Sequence, residues 1–400
     1  MTEIGPSITS PSATRQRLDG FLLPVIDRLS GVEGELLRLL RDPAGITTAN
    51  SSASAIDAFM VAAEQHGITT LLAATLAGAR PSPLLERLRD STRAHAAWEM
   101  GHRSTLLDAL SSLTSAGIEP VLFKGTALAY SVYPNPVLRT RGDTDLIVPL
   151  HERMRVTSAL MRVGFVPETA VESGQTSFVR ARADDLHRLD VHWQVNNSEV
   201  LARLLTYQEL RAEAVPLPGL SPDALAASPV HAMLLACMHR GTHRHNPYYV
   251  SGEPHFGGDR LIWLYDLHLL AESFSGRDWR TFMAEAETKG LLGVCGEGLA
   301  LARECFSTDV PDHVWQAMAL PRSREPASDY LSAGPWTQQW LDFQALPGIR
   351  RKAHFLRELV FPPAEYMRSK YADDQGRWLP WLYARRAVAG SWRRLRGRVT

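Results

Sequence analysis

The sequence predicts an α+β fold, a small mixed-sheet core flanked by N-terminal and C-terminal helical regions. Three observations predict it. Residues 17–95 place apolar side chains three or four apart, the period of a helix packed on one face. Residues 120–195 change to short apolar runs and then to alternation, the patterns of buried and half-buried strands. Beyond Leu201 the helical period returns. Helix, strand, helix, strand, helix and further strands in that order build a core of about a hundred residues. The chain then divides into a disordered leader over 1–16, a helical region over 17–95, the α+β core over 96–200 and a C-terminal helical domain over 201–400.

The elements follow in order. LDGFLLPVIDRLS, GELLRLLRD and AIDAFMVAAEQHG each read as amphipathic helices. Ser51 and Ser52 are placed to cap the third of these, and Gly67 to end it. A longer helix runs from about Pro83 to Leu113 and stops near Gly117. Pro120 to Phe123 is a short apolar strand, Gly125 to Val132 a helix, and Thr144 to Val148 a second strand. His151 to Val163 is an amphipathic helix ended by Gly164, with a short strand at Phe165-Val166. Thr176 to Arg182 and His187 to Val195 alternate, as half-buried antiparallel strands do. In the helical C-terminal part, PLPGLSPDALAASP, HNPYYVSGEPHFGGD and VFPPAEYMRSKYADDQGRWLP are rich in turn residues and read as connections.

Whole-chain properties narrow the function. Lys plus Arg equals Asp plus Glu at 43 each, so no global field favours nucleic acid or a membrane. Cys237, Cys295 and Cys305 form no CxxC pair, which argues against a disulfide framework or structural zinc and fits a reducing cytoplasm. No apolar run approaches the roughly 20 residues that span a bilayer, and the first residues lack a signal-peptide core.

The chemistry concentrates in VLFKGTALAYSVYPNPVLRTRGDTDLIV, from Val121 to Val148. On a strand, residues two apart share a face, so Asp143 and Asp145 direct both carboxylates to one point while Thr144 and Leu146 face away. Such a pair calls for a cation, and hard oxygen ligands together with substrate phosphates favour Mg²⁺. The turn at Lys124-Gly125-Thr126 joins a strand to a helix. There glycine lets a phosphate approach the backbone, the helix start supplies N–H groups, Thr126 adds a hydroxyl and Lys124 a positive charge. Arg139 and Arg141, just before the aspartates, suit bidentate phosphate contacts, or else a solvated loop. Asp190 lies on an alternating strand with His192 on the same face, and can complete a three-acid site and take a proton from an attacking hydroxyl.

Strand, Gly-Thr turn, helix, D-x-D on a strand and a later single Asp on a strand together resemble the polymerase-β-type nucleotidyltransferase superfamily. More narrowly, FKGTALAYSVYPNPVLRTRGDTDLIV resembles a family of poorly characterised bacterial nucleotidyltransferases marked by K-G, Tyr-Pro, Arg and then D-x-D. The likeness extends through LDVHWQV, HAMLLACMHRGTHR, LIWLYDLHLLA and LVFPPAEYMRSKY, from Ala96 to Arg386. The interval from Gly125 to Asp143 is also similar to that of aminoglycoside nucleotidyltransferases. The resemblance implies a nucleotidyltransferase core using two Mg²⁺ ions at Asp143, Asp145 and Asp190. It implies phosphates held by Lys124, Gly125, Thr126, Arg139 and Arg141, and NMP transfer from an NTP to a hydroxyl of a small molecule or peptide.

Two other readings belong to different classes. One is a glycosyltransferase using D-T-D to hold a metal and a sugar nucleotide, which normally needs a larger α/β region before the D-x-D than the helical one here. The other is a non-catalytic, antitoxin-like module, which retention of all three acids disfavours. Four further signals are read structurally. His239 and His243, with His231 and His245 nearby, form a helical wall facing the cleft rather than a zinc set. Asp259, Arg260 and Asp266 pair across that wall on the next helix. Trp336, Trp340, Trp378, Trp381 and Tyr383 are packing residues, and the arginine-rich ARRAVAGSWRRLRGRV is a solvated basic face or an intramolecular contact.

Overall fold

The computed structural model describes residues 31–42, 52–168, 174–183, 185–244, 246–250, 252–320, 325–361, 364, 367–368 and 378–386. Residues 1–335 and 336–400 form two separate units. The segment LDGFLLPVIDRLS, Ser51, His245 and the arginine-rich end from 387 onward lie outside the described residues.

The first unit begins with helices α1 (Val32–Arg41), α2 (Ala53–Gln65), α3 (Thr69–Thr75) and α4 (Pro83–Ser115). The Ser52 hydroxyl accepts the Ala55 N–H to cap α2, and Ser82 caps α4 in the same way at Leu85 with Pro83 as its first residue. Gly117, at φ +70°, turns the chain out of α4 into the sheet.

Seven short strands form one mixed sheet: β1 (Val121–Phe123), β2 (Asp143–Ile147), β3 (Val166–Pro167), β4 (Gln175–Arg182), β5 (Asp185–His192), β6 (Val215–Pro216) and β7 (Leu225–Ala226). Their spatial order is β3-β4-β5-β2-β1-β7-β6. β1 runs antiparallel to β2, and β4 to β5, whereas β2 with β5 and β1 with β7 are parallel. Helix α5 (Lys124–Ser131) follows β1 and α6 (Arg153–Arg162) follows β2.

The period of two sorts the side chains cleanly. Leu122, Leu146, Leu189, Val191 and Phe178 share one face and pack with Leu106, Ala109, Leu113, Val156 and Leu160 from α4 and α6. Leu122, Leu146 and Leu189 are fully buried, each contributing about 1.5–3 kcal/mol. That packing leaves the opposite face of β2 and β5 to the aspartates.

The rest of the first unit is helical: α7 (Tyr207–Ala212), α8 (Pro229–His243), α9 (Leu261–Ser273), α10 (Gly276–Thr288), α11 (Leu292–Phe306), α12 (Asp312–Ala319) and α13 (Pro326–Ser332). No helix among the described residues is long and apolar enough to cross a membrane. Helices at Pro335–Ala345 and Gly348–Val360 belong to the second unit.

Several details differ from the sequence reading. The turn-rich segments after α7 and α8 carry β6, β7 and a hairpin of β8 (Tyr248–Val250) with β9 (Glu253–His255). Strands of two or three residues are too short to show alternation, and β7 gains its place by pairing with β1 at Leu122 and with β6 at Val215 and Pro216. Asp259 and Arg260 precede α9 instead of lying on it. Trp336, Trp340 and Trp378 are 58%, 57% and 79% exposed, so they lie outside the buried core that their size suggested. Trp340 stacks on Phe343 at the surface, with 5.6 Å between ring centroids.

Candidate functional site

Strand register assembles the site. Cross-strand partners point to the same face, so Phe123, Asp145, Asp190 and Ser177 form one row across β1, β2, β5 and β4. The next row holds Ile147, His192 and Gln175, and on the other side Asp143 lies opposite Arg188. Two acids from β2 and one from β5 thus meet on one face, although Asp145 and Asp190 are far apart in sequence.

Each carboxylate has its own surroundings. Asp145 is 6% exposed and takes Lys124 Nζ at 2.5 Å and His192 Nε2 at 2.8 Å, both on Oδ1. Burial pushes Asp145 upward, but Lys124 and His192 prevail and hold it well below the usual carboxylate range. Asp190 accepts the Ser177 hydroxyl at 2.6 Å. Burial, then the charges of Asp143 and Asp145, raise Asp190 to about 6. Asp143 is raised as well, by burial and by Asp145.

Lys124 supplies the opposing charge. It opens α5 with φ +57°, a left-handed backbone that a non-glycine residue adopts at a cost of about 1–3 kcal/mol. Its ammonium lies 5.0 Å from the Phe123 ring centroid, and the edge of His192 meets that same ring at 5.0 Å. Burial works to lower Lys124, but Asp145, Asp143 and Asp190 together keep it raised and charged.

The other residues singled out from sequence are placed differently. The Thr126 hydroxyl is buried behind β2, 2.7 Å from Thr144 Oγ1, and accepts Arg141 Nε at 2.9 Å. Arg141 also donates to Glu99 at 2.8 Å, with both side chains almost wholly buried. Arg139 makes a bidentate pair with Asp266 on α9, at 2.8 and 2.7 Å, and Tyr133 donates to the same carboxylate. The polar groups of Thr126, Arg139 and Arg141 are therefore taken up inside the fold, the arginines by the carboxylates of Asp266 and Glu99 and Thr126 by Thr144 and Arg141. Lys124, Asp143, Asp145, Asp190 and His192 gather at the acid face, with Gly125 next to Lys124 in the turn.

Gly125 has no packing reason to be glycine. An added Cβ would come no closer than 3.6 Å to Arg141 Cδ, an ordinary contact.

Above this face stands α8. His239 touches His243 and Trp263 edge-on, at 4.5 and 5.2 Å. Burial, then His243 and Lys124, hold His239 well below its usual range, so it is neutral at pH 7. His231 is elsewhere, 3.7 Å from Glu213. Asp259 pairs with Arg240 of α8 at 2.5 Å, the structural role its charge suggested.

The donor set fits a divalent cation. Asp145, Asp190 and His192 each offer a ligand atom, and the three lie within 4.8 Å of one another. Two carboxylate oxygens and one imidazole nitrogen are ligand types that divalent cations accept. Asp143 shares the face without joining this trio. His192 was visible in sequence as a neighbour of Asp190 on one face, but its contact with Asp145 depends on β2 and β5 being adjacent.

No curated protein matches the chain. Two solved structures are similar over about half of it. The solution structure of the antibiotic-resistance factor ANT(2'')-Ia is 11% identical at a TM-score of 0.32, covering 47% of this chain and 92% of that one. A crystal structure of an antigenic nucleotidyltransferase-like protein from Paracoccidioides brasiliensis is 14% identical at a TM-score of 0.31, covering 48% and 92%. The family model described as an uncharacterised nucleotidyltransferase matches residues 52–307, which hold the sheet, the acid face and helices α8 and α9. With well over half its length matched, the chain belongs to this nucleotidyltransferase family.

Proposed function

We propose that this protein moves an NMP group from an NTP to a hydroxyl of a small molecule or of a peptide or protein, in a Mg²⁺-dependent reaction. The observation that carries the reading is the register of Asp145 beside Asp190 on parallel strands, with Asp143 on the same face. Asp145 and Asp190 would hold the metal with Asp143 beside them on the same face, and His192, the third member of the trio, lies 2.8 Å from Asp145. When bound, Mg²⁺ would offset charge on the triphosphate.

The remaining chemistry is the chain's own. Gly125 and the N–H groups opening α5 receive the phosphates, with Lys124 beside them. Thr126, Arg139 and Arg141 act from behind, by fixing the turn and the head of β2. The acceptor oxygen forms a bond to the α-phosphorus as the bond to the β-phosphate oxygen breaks, and pyrophosphate leaves. Asp190, the third acid of the face, receives the hydroxyl proton.

The test is a transfer assay with labelled NTPs, sugar nucleotides, Mg²⁺ and host extract. Label transfer with pyrophosphate release is expected, lost in Asp143→Ala and reduced at least about 100-fold in Asp190→Asn. Release of a nucleoside diphosphate from a sugar nucleotide would instead assign sugar transfer. Full turnover by Asp190→Asn would remove it from the proton step.

Gly125→Ala separates folding from binding. The fold accepts the methyl group, so the melting temperature should stay within about 2 °C. If the turn receives the phosphates, the KM for NTP should rise about tenfold or more, because a methyl group narrows the approach to its backbone. An unchanged KM would place the phosphates elsewhere.

A further inference from the structure

We propose that Lys124 is an exchangeable counter-ion, which occupies the acid cluster in the metal-free protein and passes to the phosphate side when a divalent cation enters. This rests on the nucleotidyl-transfer reading above. Three carboxylates on one largely buried face cannot all remain charged without a cation close by. Lys124 is that cation, with Nζ 2.5 Å from Asp145 Oδ1. Two other cations that act on Asp143 are already engaged: Arg139 by Asp266, and Arg188 by Glu168 at 2.6 and 2.9 Å.

Asp145 Oδ1 already accepts two donors, Lys124 Nζ and His192 Nε2. A divalent cation binding Asp145 and Asp190 would bring a second positive charge against the ammonium, and the repulsion between the two cations favours the departure of one. The lysine is the one able to leave. It is carried on a flexible four-carbon stem, at the first residue of α5 and next to Gly125, where phosphates would arrive.

Metal and ammonium therefore compete in the nucleotide-free protein and cooperate once phosphates are present. Each ligand then removes a cost otherwise borne by the other, so metal and polyphosphate bind with positive coupling. A lysine that only stabilised the fold would shift both affinities the same way.

The experiment measures Mn²⁺ binding by electron paramagnetic resonance to wild type, Lys124→Met and Asp145→Asn, with and without inorganic tripolyphosphate. Expected for Lys124→Met is about tenfold tighter Mn²⁺ binding alone and about tenfold weaker tripolyphosphate binding in the presence of Mn²⁺. The sequence has four lysines, Lys124, Lys289, Lys352 and Lys370. In lysine-¹⁵N-labelled wild type, the Lys124 ammonium resonance should therefore be resolvable and should move on Mn²⁺-free Mg²⁺ addition, a reading independent of whether the variant folds. If Asp145→Asn loses Mn²⁺ while Lys124→Met binds it no tighter than wild type, and the resonance is static, the exchange is overturned and the transfer reading stands. If Asp145→Asn binds Mn²⁺ as wild type does, the metal centre fails and the exchange with it.

Discussion

Asp145→Asn should lower kcat/KM for nucleotidyl transfer by at least about 10³-fold while leaving the protein folded. Asp145 is the centre of the site: it sits between Lys124 and His192, opposite Asp190 and two residues from Asp143. Losing one charged ligand weakens cation binding and also releases Lys124 and His192, and removal of a single preorganised polar partner already costs 10²–10³ in comparable sites. Stability responds to two opposed changes. The half-buried lysine loses its closest partner, which costs less than the roughly 3–5 kcal/mol of breaking a fully buried pair. Repulsion on Asp143 and Asp190 is relieved at the same time, and both remain close enough to interact with Lys124. The two effects offset, so urea denaturation should show a much smaller loss than a broken buried pair alone. Turnover within tenfold of wild type would show that Asp145 does not hold the cation.

The second large effect concerns Arg139, whose position before the D-x-D suggested phosphate binding. Arg139→Ala should destabilise the protein by about 3–5 kcal/mol, because it strands the buried carboxylate of Asp266. Arg139 and Asp266 side chains are only 8% and 5% exposed and make a bidentate pair, with Tyr133 completing the carboxylate's shell. Replacing both partners, Arg139→Met with Asp266→Leu, should recover most of that loss, since no buried charge is then left alone. Chemical denaturation of the two variants measures the difference. Normal stability with a raised KM for NTP in Arg139→Ala would return the residue to phosphate binding.

The same contrast explains how much could be read from the chain. The helix starts at Ser52 and Pro83, the strand at 121–123 and the alternating strands were legible because caps and periodicity are local. So was the shared face of Asp143 and Asp145, which follows from two-residue spacing on any strand. β7 was not legible, because two residues show no period and its pairing with Leu122 is a long-range contact. The exposed Trp336 and Trp378 were misjudged for a related reason: size and apolarity indicate a wish for burial, not a surface to meet it.

By itself the sequence determined the kind of chemistry: acids at spacings that share a face, a Gly turn opening a helix, and a resemblance that the family match bears out. Tertiary structure alone decided which charges are available to that chemistry. Arg139 and Arg141 look like Lys124 in a row of residues, each a cation beside the aspartates. Folding gives the two arginines Asp266 and Glu99, and leaves Lys124 facing the acid cluster. A charge acts according to its nearest partner, and that partner can lie more than a hundred residues away, where no local pattern records it.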